Sequence, residues 1–137
     1  MFSFLSKKNR ETMLKIQPKP GEPFDVILGG QVVKVTLKKP SAAEELAISG
    51  FAEQAARTLL NLTGTPDPEV QVKVAAEAGC RAFVFIALYQ ADGKTKVFNK
   101  LDDVRAYKGK PITLDELAAI TRAADIVFGV SEDEIKN

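Results

Sequence analysis

Histidine is absent from this 137-residue chain, and cysteine occurs once. Without histidine there is no imidazole general base, no imidazole metal ligand and no Ser-His or Cys-His catalytic arrangement. A lone Cys80 cannot close an internal disulfide, so the chain lacks the framework of small secreted domains and fits a reducing cytoplasm. Long apolar runs are missing as well. The longest, Ala82 to Tyr89, falls far short of the roughly 20 residues that span a bilayer, which makes it core material. An excess of either charge is also lacking: 19 basic against 18 acidic residues give a formal +1, too weak a field to favour nucleic acid or acidic membranes. At the start, Phe2, Phe4 and Leu5 precede the first charges, the reverse of a signal peptide, so no export signal is expected.

What is present is ordinary globular composition, 45% hydrophobic and 27% charged, in a length suited to one compact domain. Residues 1–23 read as a flexible arm and linker. They carry Lys7, Lys8, Arg10 and Lys15 and finish in QPKPGEP, which supports neither helix nor sheet ladder. Phe4, Leu5, Met13 and Leu14 leave open a short amphipathic helix within the arm. Residues 24–130 form the expected single α+β domain, and 131–137 a charged tail.

FDVILGGQVVKVTL predicts a β-hairpin turning at Gly29-Gly30, a dipeptide that accepts the positive φ angles of a tight turn. Val33, Val35 and Leu37 alternate with Val32, Lys34 and Thr36, so one face can be buried and the other partly solvated. Two strands alone are marginal, and helices should form their floor. Ser41 with Glu44 has the spacing of a capping box and predicts a helix to about Leu62, with Ala43, Leu46, Ala47, Phe51, Ala55, Leu59 and Leu62 as its apolar positions. Asp67-Pro68 predicts the next helix start. Ala82 to Tyr89 is β-rich enough for a strand, but its Ala-rich lead-in from Val70 favours one long helix. Ala91 to Lys94 should turn the chain, Lys96 to Phe98 extend, Asp102 and Asp103 open a short helix, and Thr113 cap a last one from Leu114 to Phe128. The predicted fold is α+β, an N-terminal β-hairpin followed by a mainly helical bundle of three to four helices.

No set of reacting groups emerges. Cys80 lies among Ala78, Gly79, Ala82 and Phe83 and reads as a small packed apolar residue. Asp102 with Asp103, and Glu132 with Asp133 and Glu134, lack the alternating oxygen ligands and the glycine of a calcium loop. Gly29-Gly30 precedes no helix, so it lacks the context of a phosphate-binding loop. No catalytic, cofactor or metal residue is therefore expected. Lys34, Lys38 and Lys39 read as a solvated face that also discourages edge pairing. Most aromatic residues should be core, and the candidate partner-binding residues are Phe2, Phe4, Leu5, Phe51, Tyr89 and Tyr107.

The order of elements from about Phe24 to Asn137 is FDVILGGQVVKVTLKKPSAAEELAI, then ALYQADGKTKVF, then NKLDDVRAY, then LDELAAITRAADIVFGVSEDEIKN. It resembles the tail assembly chaperones of long-tailed bacteriophages, although none of these pieces is a strict motif and no functional residue is carried across. The resemblance implies a non-catalytic, transient role in the host bacterial cytoplasm. There such a chaperone binds the long tape measure protein, keeps it soluble and helps tail tube protein polymerise around it. It further implies self-association into a homo-oligomer, absence from the mature virion, no membrane or nucleic-acid partner, and a longer form made by ribosomal frameshifting, with which Lys136-Asn137 is compatible. Two rival readings are a structural tail or tail-completion protein retained in the virion and a small nucleic-acid-binding regulator.

Overall fold

Gly29 and Gly30 take φ angles of +58° and +76°, the left-handed pair that lets a two-residue turn follow the twist of its strands. The turn joins β1 (Phe24–Leu28) to β2 (Gln31–Leu37) in antiparallel register, with Phe24 opposite Val35 and Val26 opposite Val33. Side chains alternate across the sheet. Phe24, Val26, Leu28, Val35 and Leu37 are buried; on the other face Ile27 sits opposite Val32, and Asp25 opposite Lys34. The computed structural model describes Pro18, Lys19 and residues 21–129. The possible amphipathic helix of the arm and the charged tail lie outside these residues; in the Pro-rich linker, the Glu22 N–H donates to the Lys19 carbonyl at 3.2 Å.

The expected helices follow, bounded by their expected caps: α1 (Ala42–Thr63), α2 (Pro68–Ala87) and α3 (Leu114–Phe128). One boundary corrects the sequence reading. Helix α2 stops at Ala87, and Leu88–Gln90 forms a third strand, β3, beside β2 with Leu37 opposite Leu88. The Val97 N–H donates to the Leu88 carbonyl and the Gln90 N–H to that of Thr95. Backbone partners on both sides thus outweigh the local helical preference, so the single long helix through Tyr89 is not formed. Burial of Thr36 has the same origin: β3 and its following turn cover it, with the Thr36 hydroxyl 3.5 Å from the Ala91 carbonyl.

The turn after β3 is held by Asp92. Its carboxylate accepts from the Lys94 and Thr95 N–H groups at 2.9 Å and from the Thr95 hydroxyl at 2.8 Å. Asp102 and Asp103 sit inside a single 3-10 turn, Leu101–Asp103, whose first position has no side-chain cap. They do not open an α-helix, so among the described residues there are three α-helices. A second small hairpin, β4 (Ala106–Tyr107) and β5 (Lys110–Pro111), turns at Lys108 and Gly109 with φ +49° and +81°. Positive φ at a lysine is uncommon, which hides this turn from a sequence reading.

The core lies between the sheet and α3. Leu117, Ile120, Ala124 and Val127 form the buried stripe of α3 at helical spacing; the first three share one core cluster with Leu28, Val35, Val84, Leu88, Phe98, Val104 and Ile112. Glu116 ties this layer to the first hairpin. Its carboxylate closes the capping box on Thr113 and also accepts from the N–H groups of Gly29 and Gly30, at 3.0 and 2.9 Å. Gly29 is wedged further, since a Cβ there would stand 2.9 Å from the Lys110 carbonyl and 3.2 Å from that of Tyr107.

Candidate partner-binding surface

Helices α1 and α2 form a hairpin organised by local signals at each end. The Ser41 hydroxyl accepts from the Glu44 N–H at 3.2 Å, and the Glu44 carboxylate accepts from the Ser41 N–H at 2.9 Å. The Ser41 N–H, and after it the Ser41 hydroxyl, hold the Glu44 carboxyl below its ordinary range. Gly64 ends α1 at φ +69°, donating to the Leu60 carbonyl, and Asp67 caps α2 through the Val70 N–H at 3.3 Å. The half-buried residues of α1 are Ile48, Ala52, Ala55, Ala56, Leu59 and Leu60, a stripe at helical spacing that faces α2. Small residues bring the helices close, so that a Cβ added to Gly79 would lie 3.7 Å from that of Ala52.

Burial stops there. No residue of the 22-residue α1 is buried, and the buried residues of α2 are confined to its last turns, at Ala82, Val84, Ile86 and Ala87. The apolar positions of α1 are therefore not all covered: Leu46 is 75% exposed, Leu62 80% and Phe51 40%. Among the described residues nine large hydrophobic side chains are exposed, and five of them, these three with Val70 and Val72, lie on this hairpin. Single exposed hydrophobics are ordinary, whereas a concentration on one element marks a surface for contact. At about 100° per residue, Phe51 and Leu62 share one side of α1 while Leu46 points elsewhere. Val70 and Val72 flank the α2 stripe that meets α1. The hairpin therefore offers apolar groups on more than one flank.

At its base the hairpin borders an open cleft of about 770 Å³ shared with α3, lined by Ile48, Phe83, Ala124 and Phe128 and edged by Lys39, Glu45 and Asp125. A shallower hollow of about 460 Å³ lies beside Tyr107. Among the described residues no three His, Cys, Asp or Glu side chains stand where they could hold a metal ion, and Cys80 is half-buried against the core.

The predicted partner-binding residues separate. Phe51 is on the exposed hairpin. Tyr89 is half-buried in β3 beneath the Lys38 ammonium, 4.3 Å from its ring centre. Tyr107 is half-buried in β4 against the core, with the Lys108 ammonium 5.4 Å away. Phe2, Phe4 and Leu5 lie outside the described residues. Leu46, Leu62, Val70 and Val72 were legible only as helix positions. The signal that separates them is angular: the apolar residues of α1 point in more directions than one packed face can use.

Searches among protein-family models, curated proteins and solved structures return no match to this chain. Among the described residues no helix is long and apolar enough to cross a membrane.

Proposed function

We propose that this chain is a non-catalytic tail assembly chaperone of a long-tailed bacteriophage. It acts in the host cytoplasm, binds the tape measure protein through the α1–α2 hairpin, keeps that protein soluble and promotes growth of the tail tube around it. One observation supports the reading most: a 22-residue helix with no buried residue, carrying Leu46, Phe51 and Leu62 beside Val70 and Val72. Fully removing a side chain of this size from water is worth about 1.5–3 kcal/mol. Several such groups on a projecting pair of helices match a partner that itself presents long amphipathic helices, and packing between helical faces needs no strict motif on either side. The absence of histidine agrees with a binding role.

The test is a pull-down of the tagged full-length chain from phage-producing cells, with mass spectrometry of what co-purifies. The expected result is a very long tape measure protein, captured by the native chain and lost from a Leu46→Ser, Phe51→Ser, Leu62→Ser variant that keeps the native circular dichroism spectrum. Persistence of the chain in purified particles would instead make it a structural tail protein. Steeply salt-dependent retention on DNA or RNA would make it a nucleic-acid-binding regulator.

A further inference from the structure

Charge is spread unevenly between the units of the fold. Residues 42–87, which hold α1 and α2, contain Glu44, Glu45, Glu53, Asp67, Glu69 and Glu77 against Arg57, Lys73 and Arg81, a net −3. Two of those three bases already have local partners: Arg81 donates to Glu77 at 2.8 Å and to the Val104 carbonyl, and Arg57 stands 4.0 Å from Glu53. The other described segments are basic, residues 18–41 at +2 and residues 88–129 at +1. The acidic unit of the described fold is thus the same unit that exposes Leu46, Phe51, Leu62, Val70 and Val72, and among the described residues nothing covers that surface.

The complementary chemistry is in the chain itself. Residues 1–17 carry Lys7, Lys8, Arg10 and Lys15 against Glu11, a net +3, with one apolar cluster at Phe2, Phe4 and Leu5 and another at Met13, Leu14 and Ile16. We propose that residues 1–17 bind the acidic, apolar α1–α2 hairpin of their own chain, so that the docking surface is self-covered until a partner displaces the arm. This goes beyond the chaperone reading and does not rest on it. Length permits it: 17 residues reach up to about 55 Å, whereas α1 is about 33 Å long. Tethering favours it, because a short linker gives an effective concentration on the order of millimolar, at which even weak contacts are occupied. Two apolar clusters separated by bases also suit a hairpin whose apolar groups sit on more than one flank and whose net charge is acidic.

Zero-length carbodiimide cross-linking of the native full-length chain tests this, since it joins a lysine amine to a carboxylate only when the two touch. A mixture of isotope-labelled and unlabelled chains separates links within one chain from links between two. The expected products join Lys7, Lys8 or Lys15 to Glu44, Glu45, Glu53, Asp67, Glu69 or Glu77 of the same chain. They should fall several-fold in about 1 M salt, where the screening length shrinks to about 3 Å. A Phe2→Ser, Phe4→Ser, Leu5→Ser variant keeps every lysine and changes no described residue, and should lose the links while keeping the native circular dichroism spectrum. Links from these lysines only to carboxylates outside 42–87, only between chains, or none at all would overturn the proposal, as would links that survive the triple substitution.

Discussion

The two ends of α2 inhabit different proteins, in effect. Its last turns bury Ala82, Val84, Ile86 and Ala87, two of which, Val84 and Ala87, belong to the core cluster, while its first three turns and the whole of α1 bury nothing. At the core end, order comes from excluding water, and long-range contacts set the positions of short strands with little intrinsic preference. At the free end, order comes from caps, small residues and the helix ladder, and the apolar side chains contribute little to holding the fold. A chain that spends part of its hydrophobic content outside its own core keeps that content for another surface.

The largest expected effect separates the two regions directly. Leu117 is fully buried, so Leu117→Ala should lower the stability measured by urea unfolding by about 2–5 kcal/mol. Leu62→Ala, at the exposed end of α1, should change it by no more than about 0.5 kcal/mol. Equal losses would erase the contrast and mean that Leu62 holds the fold as a core residue does.

A smaller effect sharpens the comparison inside the core region. Gly29 and Gly30 both hold positive φ, but only Gly29 has backbone within reach of an added methyl group. Gly30→Ala should cost about 1 kcal/mol for the left-handed backbone alone. Gly29→Ala should cost more, up to about 3 kcal/mol, because the Lys110 and Tyr107 carbonyls must also retreat. Thermal unfolding of the two variants side by side gives the difference.

The smallest effect belongs to a surface turn. Hydrogen bonds from the Thr95 and Lys94 N–H groups, and then from the Thr95 hydroxyl, lower the Asp92 pKa from 3.8 to about 2. A carboxyl depressed in the folded state contributes stability that is fully present above its unfolded value and is lost as pH falls through about 2. Acid titration followed by the Thr95 amide resonance should show that loss, and Asp92→Asn should abolish the pH dependence in this window.

Much of this architecture was legible because its signals are local. Ser41 with Glu44, Asp67 with Pro68, and Thr113 each declare a helix start, and Gly29-Gly30 declares a turn. What escaped depends on distant partners. Leu88–Gln90 is a strand because β2 and the segment at Thr95–Val97 offer it hydrogen bonds, and nothing in its own residues distinguishes it from the end of α2. The Lys108-Gly109 turn rests on a lysine in an unfavoured backbone region. Glu116 closes the capping box on Thr113, and its second grip on a turn 86 positions away is visible only in the fold. On the candidate surface, helical spacing gives Leu46, Phe51 and Leu62 as apolar positions of one helix without reporting what lies against them.

Leu37 stands opposite Leu88, and the Lys38 N–H donates to the Ala87 carbonyl at 3.0 Å, so both legs of the α1–α2 hairpin leave the sheet side by side. The legs are mechanically unequal: α2 is a post rooted in the core, and α1 is a strut joined to β2 through the short link at Lys38 to Ser41. A pull on α1 therefore reaches the sheet at the very end of a three-pair ladder, where antiparallel strands unzip one bond at a time instead of resisting together in shear. Whatever grips α1 alone holds the protein by the more yielding of the hairpin's two legs.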